Sequence, residues 1–156
     1  MNEKIVIMGI GNWLMADDGV GVHAAQALAQ DPPPGTTVVD AGTDALSALS
    51  FLEGASRVLL IDAVQGGGEP GTVRRLTERE LSPRQGLSSA HAASLLASRH
   101  LFPADVDWPE FVILGVEPAT MTYGMELSPA VAAALPGIYQ LSREIVTSWR
   151  METIHT

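Results

Sequence analysis

The chain has 156 residues, 46% of them hydrophobic and 17% charged, with no cysteine. That length suits a single domain spanning 1–156, able to bury roughly two-thirds of its unfolded surface. The missing thiols exclude a disulfide scaffold, a zinc finger, an iron–sulfur site and a thiol nucleophile. Nine Lys and Arg against 18 Asp and Glu leave a net charge of −9, which argues against nucleic acid as a partner. No window approaches the roughly 20 apolar residues that cross a bilayer, and Ile5-Val6-Ile7-Met8 is too short for a signal-peptide core. No membrane insertion and a cytoplasmic location are the expectations.

Short β-branched runs alternate with helical periodicity. Lys4 to Gly9 reads as a first strand, its unbroken apolar run marking burial on both faces. A glycine-rich turn leads to a helix from Gly19 to Ala29, with Val20, Ala24, Ala27 and Leu28 on one stripe. Pro32-Pro33-Pro34-Gly35 ends it. Thr36 to Val39 is a second strand, followed by a short helix carrying Leu46, Leu49 and Leu52, and Val58 to Ile61 is a third strand. Thr72 to Leu76 is more polar and suits a sheet edge, a helix runs from His91 to Leu101, and Phe111 to Val116 is the last strand. Val131, Ala134, Leu135, Ile138, Leu141, Ile145 and Trp149 recur at helical spacing, with Pro136 either kinking that helix or marking its start. The alternation predicts an α/β fold in three layers: a mostly parallel twisted sheet of about five strands, one edge strand free to run antiparallel, with helices on both faces.

Polar residues collect where such a sheet binds ligands, beyond the carboxyl ends of its strands at the point where strand order reverses. Asp17-Asp18 follows the first strand, Asp40-Ala41-Gly42-Thr43 the second and Asp62 the third. With strand order 2-1-3, Asp18 and Asp62 approach each other. Two carboxylates about 5 Å apart at an effective dielectric near 20 repel by roughly 3 kcal/mol, so one holds a proton or a cation lies between them. His91, at a helix start, can reach the same rim and complete an O,O,N ligand set with Asp18 and Asp62. Local roles compete with this. Asp17 reads as the cap of the first helix and Thr43 as the cap of the second, with Gly42 supplying a tight turn. His23, His100 and His155 are expected to have no chemical role. Gly9-Ile10-Gly11 hints at a dinucleotide fingerprint, but Leu14 stands at the third glycine position and Asp17-Asp18 would repel a pyrophosphate.

The segment from Gly9 through Asp17-Asp18-Gly19-Val20-Gly21 resembles the N-terminal signature of the nickel–iron hydrogenase maturation proteases. The resemblance continues through Asp40-Ala41-Gly42-Thr43, Leu60-Ile61-Asp62-Ala63, Ser89-Ala90-His91, Gly115-Val116-Glu117-Pro118 and Gly124-Met125-Glu126-Leu127-Ser128-Pro129. It implies a metal-dependent, aspartyl-type endopeptidase that removes a C-terminal extension from the hydrogenase large subunit precursor once nickel has been inserted. It also implies Asp18, Asp62 and His91 as catalytic metal ligands, with Asp40, Gly42 and Thr43 in a supporting loop. The nickel would be borne by the substrate, and zinc or cadmium could take its place in vitro. A non-hydrolytic nickel-binding chaperone and a Rossmann-type nucleotide binder are the competing readings.

Overall fold

A computed structural model describes residues 3–155, with side chains described through residue 152. Five strands form one sheet: β1 (Ile5–Ile10), β2 (Thr36–Gly42), β3 (Arg57–Ala63), β4 (Val73–Thr77) and β5 (Glu110–Val116), in the spatial order β2-β1-β3-β5-β4. All neighbours run parallel except β4, which pairs antiparallel with β5 at the edge. Helices α1 (Val20–Gln30), α2 (Ala45–Leu52), α3 (Ala90–Ala97) and α4 (Pro129–His155) cover the two faces.

The unbroken apolar runs of β1, β3 and β5 follow from this sandwich. Successive side chains point to opposite faces, and both faces are buried. Ile5, Ile7, Leu59, Ile61, Val112 and Leu114 pack under Val20, Ala24 and Leu28 of α1 and Ile138, Ile145 and Trp149 of α4. Val6, Met8, Val58, Leu60, Phe111 and Ile113 pack against Ala48 and Leu52 of α2 and Ala92 and Leu95 of α3. Because the chain leaves β1 toward β2 and returns to β3 on the other side, strand order reverses between β1 and β3. The switch point anticipated from the sequence lies there.

Several boundaries differ from the sequence expectation. β2 continues past Val39 to Gly42, so Asp40 lies within an edge strand, where one side of the ladder faces solvent. β3 continues to Ala63, so Asp62 is a strand residue and not a turn. Thr43 does not cap α2. Asp44 does, its Oδ1 accepting from the N–H groups of Leu46 and Ser47 at 3.1 Å each. Pro136 neither starts nor ends α4, which begins at Pro129 and runs through it. Pro136 and the preceding-turn residue Ala132 are both exposed, so the carbonyl that loses its helical partner can turn to water.

The helix α1 sits unusually close to the sheet. A Cβ at Gly9 would lie 2.0 Å from the Gly21 carbonyl oxygen, and a Cβ at Gly21 would lie 2.0 Å from the Ile61 carbonyl oxygen. Gly9 thus serves helix packing and not phosphate approach. Gly21→Ala should push α1 off the ends of β1 and β3 and cost roughly 3 kcal/mol, read as a lowered urea midpoint. An unchanged midpoint would show that the helix has room to spare.

Candidate functional site

Two elements meet above the switch point. The chain leaving β1 turns at Gly11, whose φ of +135° and close approach to the Asp18 carbonyl oxygen leave no space for a side chain. A short 3-10 turn, Ala16–Gly19, then carries Asp17 and Asp18 into α1. Asp18 folds back so that its Oδ2 accepts from the Asn12 N–H at 3.0 Å. From the other side comes α3. Its cap is Ser89, whose Oγ accepts from the Ala92 N–H at 3.1 Å and donates to Asp62 Oδ2. That cap fixes the first turn of α3 and places His91 Nε2 2.8 Å from Asp18 Oδ2.

Asp62 forms the floor. It is fully buried, Ser89 occupies Oδ2, and Oδ1 is enclosed without a hydrogen-bond partner of good geometry. Asp18 and His91 are therefore in direct contact, and Asp62 adjoins them through Ser89. Among the described residues, no three His, Asp or Glu side chains stand ready as a metal cage, because Asp18 and His91 face each other.

The supporting loop is divided. Asp40 is exposed, accepts from Gln26 Nε2 and the Gly42 N–H at 3.1 Å each, and lines a separate cleft of about 440 Å³ with Asn12 and Trp13. It does not join the trio. Gly42 and Thr43 reach further, sharing a hollow of about 120 Å³ with His91. Gly42 has a φ of +54°, the tight turn expected of it.

Asp17 is not a helix cap. It is wholly buried, and its carboxylate accepts from the N–H groups of Ala119 (2.8 Å), Thr120 (3.1 Å) and Ser128 (2.7 Å) and from Ser128 Oγ (2.8 Å). It pins the loop between β5 and α4. A local cap was the expectation because its four donors lie more than 100 residues away. His23 stacks on Trp13, ring centroids 4.0 Å apart, and burial holds its pKa below the usual imidazole value. His100 is exposed and pairs with the Ala97 carbonyl, while the His155 side chain lies outside the described residues.

The sequence pattern of the HycI family, hydrogenase maturation protease, matches residues 22–145, a span that includes Asp62 and His91. The chain belongs to the hydrogenase maturation protease family. It is 30% identical over 151 residues to the hydrogenase expression/formation protein HoxM of Cupriavidus necator, covering 93% of this chain and 75% of that protein. It is also similar to the [NiFe] hydrogenase maturation protease HybD from Thermococcus kodakarensis, with 27% identity, a TM-score of 0.79 and coverage of 91% and 98% of the two chains. The maturating endopeptidase HybD of E. coli shares the fold at a TM-score of 0.79 and 23% identity, over 96% of this chain and 93% of that one. As a family member the chain is a hydrolase, a maturation endopeptidase.

Within this protease, the site disposes of its own charge. Burial works against ionisation of Asp18, but the hydrogen bonds from His91 and the Asn12 N–H outweigh it and hold the carboxyl below the usual range. The Asp18 bond raises the His91 pKa, with burial opposing it and both carboxylates adding attraction. Burial pushes Asp62 up to about 7, against the easing effects of Ser89, His91 and the Ala63 N–H. The repulsion expected between two carboxylates is thus eased: the contact with His91 favours ionised Asp18, while burial favours the neutral form of Asp62.

Two outcomes follow. Asp17→Ala would strand three backbone N–H groups and a hydroxyl, and should cost roughly 3 kcal/mol with faster hydrogen exchange across residues 119–128. For Asp62, the folded-state pKa lies above the ordinary 3.8, so the proton is held more tightly when folded and stability falls as pH rises from about 4 to 7. Asp62→Asn should abolish that decline and give a higher denaturant midpoint than the parent protein at pH 8. Parallel pH profiles in the two proteins would contradict the buried, raised carboxyl.

Proposed function

We propose that this endopeptidase removes the C-terminal extension of a nickel-loaded hydrogenase large subunit precursor, and that Asp18, Asp62 and His91 engage the nickel carried by that substrate. The observation that carries the reading is the Asp18–His91 pair set against the unpartnered buried oxygen of Asp62. A carboxylate oxygen enclosed without a donor is costly unless a proton or a cation reaches it. Two carboxylates and one imidazole form a donor set suited to nickel, and zinc or cadmium can also take it.

The idle site supplies the selectivity. With no cation present, the contact with Asp18 favours the protonated form of His91, and burial raises the Asp62 carboxyl to about 7, so near neutral pH it is divided between its neutral and ionised forms. A precursor lacking nickel offers nothing to replace those protons, so it meets a closed ion pair. A divalent ion displaces them, freeing His91 Nε2 and the oxygens of Asp18 and Asp62 as donors. Asp18, Asp62 and His91 would hold the substrate's nickel, which would supply Lewis-acid polarisation of the scissile carbonyl. Water attacks the carbonyl carbon, its proton passes to a carboxylate of the site and then to the leaving amine as the C–N bond breaks.

Asp18→Ala, Asp62→Ala and His91→Ala should each reduce processing of nickel-loaded precursor by at least about a thousandfold while keeping the circular dichroism of the parent chain. The product is weighed by mass spectrometry, which also separates a cut from mere binding. Calorimetry with cadmium in buffers of different ionisation enthalpy should show proton release that is smaller in His91→Ala and smaller again in Asp62→Asn. Full processing by all three variants would remove these residues from the reaction.

A further inference from the structure

A second feature opens directly from Asp18. A cleft of about 370 Å³, with Asp18 among its lining residues, lies between the segment leading into α3 and the loop following β5. Ser88 and Ser89 line it, and Leu81, Leu87, Ala93 and Met121 are among its apolar lining residues. The walls come from both sides of the molecule. Leu81 and Leu87 pack on the core under α2 and α3, whereas Met121 packs on the core under α1 and α4. The cleft therefore crosses the carboxyl ends of the strands, as the candidate site does.

Its walls are held firmly. Gln65 and Ser88 exchange two backbone hydrogen bonds of 2.9 Å. The neighbouring Gly66 N–H donates to Glu117 at 2.8 Å, and Glu117 is in turn paired with Arg74 at 2.7 Å. On the opposite side, the Asp17 carboxylate fixes Thr120, next to Met121. Asp18 is the one ionisable side chain among the lining residues. A charged side chain entering further would lose water and find no counter-ion, whereas an aliphatic one would gain by burial.

We propose that this cleft is the subsite for a large aliphatic side chain adjoining the scissile bond of the substrate, with Leu81, Leu87 and Met121 as its contact surface and Ala93 setting its depth. The proposal rests on the function given above and adds which part of the enzyme selects the cut. Its continuity with Asp18 decides the occupant, because a peptide whose carbonyl is presented to the trio must carry a neighbouring side chain past this opening.

Ala93 is exposed on α3, and Ala93→Leu fills the cleft without entering the core. The nickel-loaded precursor is assayed intact and with each of the two residues on either side of the scissile bond truncated to Ala. One truncation is expected to raise KM about tenfold in the parent enzyme with little change in kcat. Ala93→Leu should raise KM for the intact precursor by a similar factor and make that truncation cost-free, with cadmium binding and melting temperature as in the parent. Met121→Ala, which opens the other wall, should raise KM for the intact precursor and improve a precursor bearing a bulkier residue at the same position. Independent, multiplying effects of enzyme and substrate changes, or unchanged KM in both variants, would overturn the subsite. Failure of the parent enzyme to cut would overturn the function on which it rests, and the subsite with it.

Discussion

Asp62 is a carboxyl group on a strand whose neighbours are Leu60, Ile61 and Ala63, all buried. Removing it from water is costly, and the surrounding geometry answers that cost. Ser89 supplies the hydroxyl that meets one oxygen, and because the same hydroxyl caps α3, satisfying Asp62 also sets the first turn of the helix. The position of His91 follows from that turn, and the position of Asp18 follows from His91 and the Asn12 N–H. The arrangement is assembled from the floor outward, each group placed by the one beneath it.

Two adjacent aspartates divide the remaining work. Asp17 and Asp18 leave the same 3-10 turn in different directions. Asp17 satisfies four donors of the loop between β5 and α4 and becomes structural, its charge fixed and buried. Asp18 keeps a single backbone donor and an imidazole, partners that a competing cation can exchange. Buried carboxylates recur as loop anchors in this fold, since Glu117 does for residues 64–71 what Asp17 does for residues 119–128. Both loops around the site are tied to the rest of the fold by these carboxylates.

The frame was legible because burial on two faces leaves a plain mark. Ile5-Val6-Ile7-Met8 and Val58-Leu59-Leu60-Ile61 carry no alternation, and the structure places both strands inside the sheet. The approach of Asp18 to Asp62 could be anticipated from the strand-order rule, since Asp62 stands near the end of β3 and Asp18 in the turn that follows β1, on the two sides of the reversal. Asp17 could not be read correctly, because a cap is decided by neighbours in sequence and this carboxylate is decided by Ala119, Thr120 and Ser128. Thr43 and Asp44 are both competent caps, and only the path of the chain beyond Gly42 chooses between them. The tie between Ser89 and Asp62 was hidden for a related reason: the capping spacing to Ala92 is visible, but a hydroxyl's second partner is set by tertiary packing.

On the proposed function, the closed pair also sets the order of events. A preformed empty cage of two carboxylates would be strongly anionic and would collect whatever divalent ion was abundant, since an O,O,N set discriminates weakly among such ions. In this chain His91 is drawn toward its protonated form by Asp18, and Asp62 toward its neutral form by burial, so a free metal would have to displace protons to bind. An ion delivered on a docked protein meets those protons with the binding energy of the whole interface behind it, whereas a free ion does not. The proposed function then requires weak intrinsic affinity for free metal, and the Asp18–His91 contact is the feature that would keep it weak.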